Sequence, residues 1–286
     1  MPSGASFGMD INELLVRVLE LGGSDLHLTV GRAPTMRLHG KLVELEAPVL
    51  TGADARELVY GILKQDQREV LERNWEYDFA HSIAARARFR GNAYFQRGSI
   101  GAAFRVIPAE IKSFAELGLP TVTESFATKP RGFVLVTGPT GSGKSTTLAS
   151  IIDHINTNRP VNIITVEDPI EYLHHHKQAI VIQREVGADT KSFGHALKSI
   201  LRQDPDVILI GEMRDLETVA AALTAAETGH LVFATLHTQD TPQTIDRIID
   251  VFPPHQQQQV RIQLSSTLPG IISQQLRPAI DGRSRV

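Results

Sequence analysis

Phe133-Val134-Leu135-Val136-Thr137 runs directly into Gly138-Pro139-Thr140-Gly141-Ser142-Gly143-Lys144-Ser145-Thr146. The first stretch is apolar up to its closing threonine, as a strand buried on both faces requires. The next eight residues satisfy G-x-x-x-x-G-K-[ST] at every fixed place. From Thr146 onward, Leu148, Ile151, Ile152 and Ile155 recur at helical spacing. Strand, glycine-rich loop and helix in that order read as a phosphate-binding loop. The glycines let the backbone close around phosphate oxygens, and the amides and the helix N-terminus supply partial positive charge. Lys144 is placed to reach the β- and γ-phosphates of ATP, and the Ser145 hydroxyl to ligate Mg²⁺.

Downstream, short apolar strands alternate with helices: 161–166, 207–210 and 231–235 repeat the pattern of 133–137. Such runs predict a mostly parallel sheet covered by helices on both faces. Upstream the pattern differs. Ile11, Leu14, Leu15, Val18 and Leu19 predict a helix over 11–21, and Leu26, Leu28 and Val30 a strand. Met36 to Leu42 reads as a hairpin and 53–71 as one helix. Strands are expected over 85–96 and 99–107. Period two puts Arg86, Arg88 and Arg90 on one face of the first, with Ala87 and Phe89 on the other. The division expected is a small N-terminal mixed α/β domain over 1–108, a linker over 109–129 with a short helix near 114–117, and a nucleotide-binding domain over 130–286.

A phosphate loop alone does not separate a kinase, a switch and a motor. Acidic residues narrow the choice. Val207 to Ile210 is followed by Gly211 and Glu212, a carboxylate at the end of a strand expected beside the loop strand, where a magnesium-side acid belongs. Asp is usual there, and the longer Glu suits a water-mediated contact. Glu167-Asp168-Pro169-Ile170-Glu171 places three carboxylates at another strand end. Such a cluster is costly near phosphates unless a metal or a water needs it, and one of its glutamates could polarise the attacking water. His230 and His237 bracket the strand 231–235, the second placed to sense the γ-phosphate. His174-His175-His176 reads as a solvated turn before a metal site.

The chain has 286 residues, room for one or two domains, and a net charge of -3, which gives no broad nucleic-acid surface. It has no cysteine. That excludes disulfides, cysteine-ligated zinc, iron–sulfur clusters and thiol catalysis, and fits a reducing compartment. No stretch approaches the ~18–20 apolar residues of a spanning helix, so membrane association is expected only through partners.

These motifs together resemble the secretion-ATPase superfamily, most closely the PilT-type ATPases that retract type IV pili in twitching motility. The resemblance rests on Gly138 to Thr146, on Ile164 to Tyr172, on Leu201 to Asp215 and on Thr224 to Thr238. Ser24 to Leu28 and Ala87 to Arg90 extend it to the first domain. It implies a PAS-like first domain and a RecA-like second one, with ATP and Mg²⁺ as cofactors. It also implies Glu171 as the catalytic glutamate, Glu212 as the atypical Walker B acid, and His230 and His237 as a histidine box. Arg90, Arg97 and Arg105 become candidates to reach a neighbour's nucleotide across a homohexameric ring. The partner implied is an inner-membrane pilus platform protein, and the location is cytoplasmic, peripheral to that membrane. Members of the family usually continue past this point, so the chain reads as C-terminally truncated. Pilus-assembly and type II secretion ATPases usually carry a long N-terminal region and a four-cysteine zinc insertion, neither of which is present here. An accessory PilU-like retraction ATPase shares the same motifs. A P-loop kinase, a nucleotide-gated scaffold and a DNA translocase are the readings from other classes.

Overall fold

The computed structural model describes residues 8–83, 86–277 and 280. The chain divides into two compact units, Met1–Pro108 and Ala109–Val286.

In the first unit, α1 (Ile11–Glu20) starts at Asp10. The Asp10 side chain accepts from Glu13 N–H at 2.9 Å, and Glu13 returns a bond to Asp10 N–H. Its Ile11, Leu14, Leu15 and Val18 are buried. There follow β1 (Asp25–Leu28), β2 (Thr35–Leu38), β3 (Lys41–Glu44), α2 (Gly52–Ile62), α3 (Gln65–Asn74), β4 (Glu76–Ile83), β5 (Ala87–Gln96) and β6 (Ser99–Ile107). The strand order is β3-β2-β1-β6-β5-β4, antiparallel at every pairing. The unit is mixed α/β, as expected, with its helices beside a wholly antiparallel sheet. Two expectations change. The single helix over 53–71 is two helices, because Leu63 turns extended (φ -89°, ψ 135°) and buries its side chain. Lys64 N–H then donates to Gln67 Oε1 at 2.9 Å and starts the next helix. The strand β4 was not expected, since of its eight residues only Phe79 is buried and the period is faint.

The second unit begins with α4 (Phe114–Leu117) and α5 (Thr121–Ala127). The segment 109–129 is thus not a bare linker: Phe126 and Ala127 are buried in this unit's core. Then come β7 (Gly132–Thr137), α6 (Lys144–Asn158), β8 (Asn162–Glu167), β9 (Ile180–Glu185), α7 (Phe193–Ile200), β10 (Val207–Ile210), α8 (Leu216–Glu227), β11 (Leu231–Leu236), α9 (Thr241–Asp250), α10 (Pro254–Thr267) and β12 (Gly270–Ser273). The order β12-β7-β11-β10-β8-β9 is parallel throughout.

Strand alternation splits the core into two layers. Phe133 and Leu135 join Ile164, Ile208 and Val232 under α7 to α10. Val134 and Val136 join Ile163, Leu209 and Phe233 under α5 and α6. All six residues of β7, and all six of β11, are buried. Ile151, fully buried on α6, is part of the second layer. Ile151→Ala should cost about 2–5 kcal/mol and Ile151→Val only about 0.5–1.5 kcal/mol. Urea unfolding followed by circular dichroism measures both, and an alanine loss no larger than the valine loss would contradict this packing.

Candidate active site

A parallel sheet gathers the C-terminal ends of its strands along one edge, and there the loops after β7, β8, β10 and β11 meet. They enclose a cavity of about 370 Å³ lined by Lys144, Ser145, Glu167, Glu171, Glu212 and His237, among others. One expectation changes: β11 lies between β7 and β10, so the strand carrying Glu212 is not adjacent to the loop strand.

The loop Gly138–Ser145 joins β7 to α6. Gly143 caps the helix in the left-handed region (φ 89°) with no side-chain cap, leaving the first amides to the loop. Lys144 is 9% exposed, and its Nζ donates to Gly138 O at 2.9 Å and Pro139 O at 3.0 Å. Burial lowers its pKa, and the charge of Glu212 works against that. Gly141, Pro139, Thr140 and Ser145 are exposed, whereas Ser142 is buried. Thr146 Oγ1 lies 3.0 Å from Tyr172 Oη, which ties the start of α6 to the acidic loop.

The carboxylates divide by environment. Glu212 Oε2 accepts from Arg214 Nη2 at 2.6 Å, and Oε1 lies 3.0 Å from His237 Nε2. The Arg214 bond is the main reason that Glu212 titrates below the ordinary glutamate range. Burial opposes it, and the charges of His237 and Lys144 add to it. Glu167 is 9% exposed. It accepts from Thr165 Oγ1 at 2.6 Å and Gln183 Nε2 at 3.1 Å. Burial nevertheless outweighs these bonds and raises its pKa, with the Glu171 charge adding to the rise. Glu171 itself is exposed at the cavity wall. Ser145, Glu171 and Glu212 present oxygen donors to the same cavity, with Glu212 held ionised, and this donor set suits Mg²⁺. Among the described residues no three His, Asp or Glu converge to hold a metal by themselves, and the 174–176 histidines form no metal cluster.

His230 does not join this group within the chain. It sits before β11, its Nδ1 2.9 Å from Ala225 O, and at ~3.3 Å per residue it lies roughly 20 Å along the strand from His237. Arg90, Arg97 and Arg105 belong to the first unit. Arg90 faces Arg105 in the β5–β6 register, and Arg97 occupies the turn between those strands at φ 50°. Arg105 Nε bonds Asp25 Oδ1 at 2.8 Å. Burial pushes the Asp25 pKa up, but the bonds from Ser24 and Arg105 outweigh it and leave the pKa lowered.

Sequence reasoning assigns no distinct role to four residues of the site. Arg214, two residues after Glu212, was passed over, as was Tyr172, one after Glu171. Glu167 was read as one of three equivalent acids, although it closes an apolar run and so shares that run's burial. His174 lines the cavity, and burial pushes its pKa down to about 4.

Residues 105–285 match the family described as "Type II/IV secretion system protein". The type IV pilus retractation ATPase PilT of Pseudomonas aeruginosa is 49% identical over 274 residues, spanning 96% of this chain and 80% of that protein. The type IV pilus ATPase PilU of the same organism is 44% identical over 277 residues, 97% of this chain and 72% of its own length. A crystal structure of the pilus retraction motor PilT with bound ADP superposes with a TM-score of 0.90 at 52% identity, covering 97% of this chain and 81% of that one.

Two outcomes follow from the electrostatics. The folded-state pKa of Glu167 is raised, so its carboxyl favours folding at low pH, and that contribution is lost as pH rises through the raised value. Glu167→Gln should therefore unfold at a higher temperature than wild type at neutral pH, with the gap closing below about pH 4, where both are neutral. A gap that widens on acidification would contradict this. Arg214→Ala removes the bond that holds Glu212 ionised, so the acid limb of the ATP hydrolysis profile should move to higher pH. An unmoved limb in steady-state assays would exclude that coupling.

Proposed function

We propose that this chain, which belongs to the type II/IV secretion system protein family and within it to the PilT-type pilus retraction ATPases, converts ATP hydrolysis into retraction of a type IV pilus. The observation that carries the reading is the cavity in which Thr140, Gly141, Lys144 and Ser145 of the phosphate loop face Glu171 and Glu212. The relatives supply the direction of the work: the pilus retraction motor PilT is the structure matched at 52% identity.

The reaction is ATP + H₂O to ADP and phosphate. Lys144 and the loop amides from Gly143 to Thr146 neutralise the β- and γ-phosphate charge. Ser145 and Glu212 would hold Mg²⁺, which shields that charge when bound. Glu171 orients a water and takes its proton on a carboxylate oxygen as the water oxygen attacks the γ-phosphorus and the bond to the bridging oxygen of ADP breaks. His237, against Glu212, sits where loss of the γ-phosphate would be felt.

The chain would act as a homohexamer, with Arg90, Arg97 and Arg105 available to stabilise transition-state charge across the ring. No described helix is long and apolar enough to cross a membrane. Contact with the inner membrane would therefore run through a pilus platform protein on its cytoplasmic side. The PilU-like accessory role is the second reading, at 44% identity.

Glu171→Ala should bind ATP within a few-fold of wild type and lose about 10²–10⁴-fold in turnover. Equal turnover would remove Glu171 from the chemistry. Expression of Lys144→Ala in place of the wild-type chain should leave cells with more surface pili and no twitching, because assembly continues without retraction. Cells with no pili at all would point to assembly.

A further inference from the structure

The terminal edge strand β12 runs parallel to β7 with Ser273 opposite Thr137, which brings the next residue, Gln274, to the phosphate loop. Gln274 N–H donates to Thr137 O at 2.9 Å, and Thr137 Oγ1 lies 2.9 Å from Ser273 Oγ. The Gln274 side chain then crosses the loop, and its Nε2 donates to Ser142 O at 3.0 Å. We propose that Gln274 is a positioning residue of the phosphate loop, holding the Ser142–Gly143 peptide so that its N–H faces the bound nucleotide phosphates.

The peptide plane supplies the argument. In a trans peptide the C=O and N–H point in opposite directions. Fixing Ser142 O toward Gln274 therefore turns Gly143 N–H the other way, and among the described residues that N–H donates to no protein acceptor. The fit is close on both sides. A Cβ on Gly138, at φ 146°, would collide with Gln274 O, and one on Gly143 would meet Gln274 Nε2 at 3.2 Å. Gly138 is thus required by the Gln274 backbone as well as by phosphate, and Gly143 by its left-handed backbone at φ 89°. The amide orientation is also determined: reversed, Gln274 would set two oxygens against each other. Gln274 Oε1 and Ser142 Oγ are buried without partners among the described residues. Unpartnered buried atoms of this kind are uncommon in native folds and are kept where a site needs them.

The inference rests on the nucleotide reading of the loop. Its test is ADP affinity by titration calorimetry for wild type, Gln274→Ala and Gln274→Glu, from about pH 8 down to about pH 5.5, with thermal unfolding of each variant. A neutral hydrogen bond of ordinary strength predicts about three- to tenfold weaker binding for the alanine variant at neutral pH. The glutamate variant should bind more weakly still, since an ionised carboxylate cannot donate to Ser142 O. It should then recover toward wild type on acidification, when its protonated carboxyl donates again. Should the alanine variant fail to fold, the pH-dependent recovery of the glutamate variant decides alone. Wild-type affinity in both variants, or a glutamate variant that matches alanine at every pH, overturns the assignment. A wild-type chain that binds no ADP would overturn the nucleotide reading, and this inference with it.

Discussion

Burial of β7 on both faces and both edges is the constraint from which the site follows. Phe133 and Leu135 fill one helical layer and Val134 and Val136 the other, while β11 and β12 take up the strand's hydrogen bonds. A strand held in this way has no freedom to slide, because a one-residue slip would exchange its two faces. Its last residue therefore delivers Gly138 to a fixed point, with α6 starting where the loop ends. The parallel sense of the sheet delivers the ends of β8, β10 and β11 to the same edge. Three carboxylates and a histidine then meet one lysine without any of them being near it in sequence.

Convergence of this kind is electrostatically expensive, and the site distributes the cost unevenly. Glu212 is kept ionised by Arg214, while Glu167 is buried with only neutral donors and is pushed toward its protonated form. Lys144 is buried deeply enough to be held below its ordinary pKa, with its ammonium donating to its own loop carbonyls. A polyphosphate entering here meets a desolvated cation and a set of free amides, an arrangement in which electrostatic interactions are stronger than in water. Environment rather than residue type thus pushes the Glu212 and Glu167 carboxyls in opposite directions.

Local chemistry was legible in the sequence and long-range placement was not. The loop was readable because its glycines, lysine and serine act within eight residues and need only the strand before and the helix after. Strand type was readable because burial on both faces leaves an unbroken apolar run. Strand order was not, so β11 between β7 and β10 came as a correction. Glu167 and Glu171 are four residues apart in sequence, yet the first is buried and the second exposed, a contrast set by where β8 ends. Gln274 lies 132 residues from Ser142 and carries no local signal. The helix break at Leu63 was hidden because no proline marks it and the polar run Lys64 to Glu69 suits an exposed helical face as well as a break. His230 and His237 looked like a pair because they bracket one strand, yet a parallel strand separates its two ends.

The central claim is that the site turns over ATP as part of a ring motor whose subunits complete one another. Steady-state ATP hydrolysis per subunit, measured across protein concentration with particle mass followed in the same samples, tests it most directly. The account predicts that specific activity rises together with a six-subunit species, by the several orders of magnitude that a charge-stabilising arginine supplied from a neighbour can provide. A monomer that hydrolyses ATP as fast as the assembled particle would contradict it.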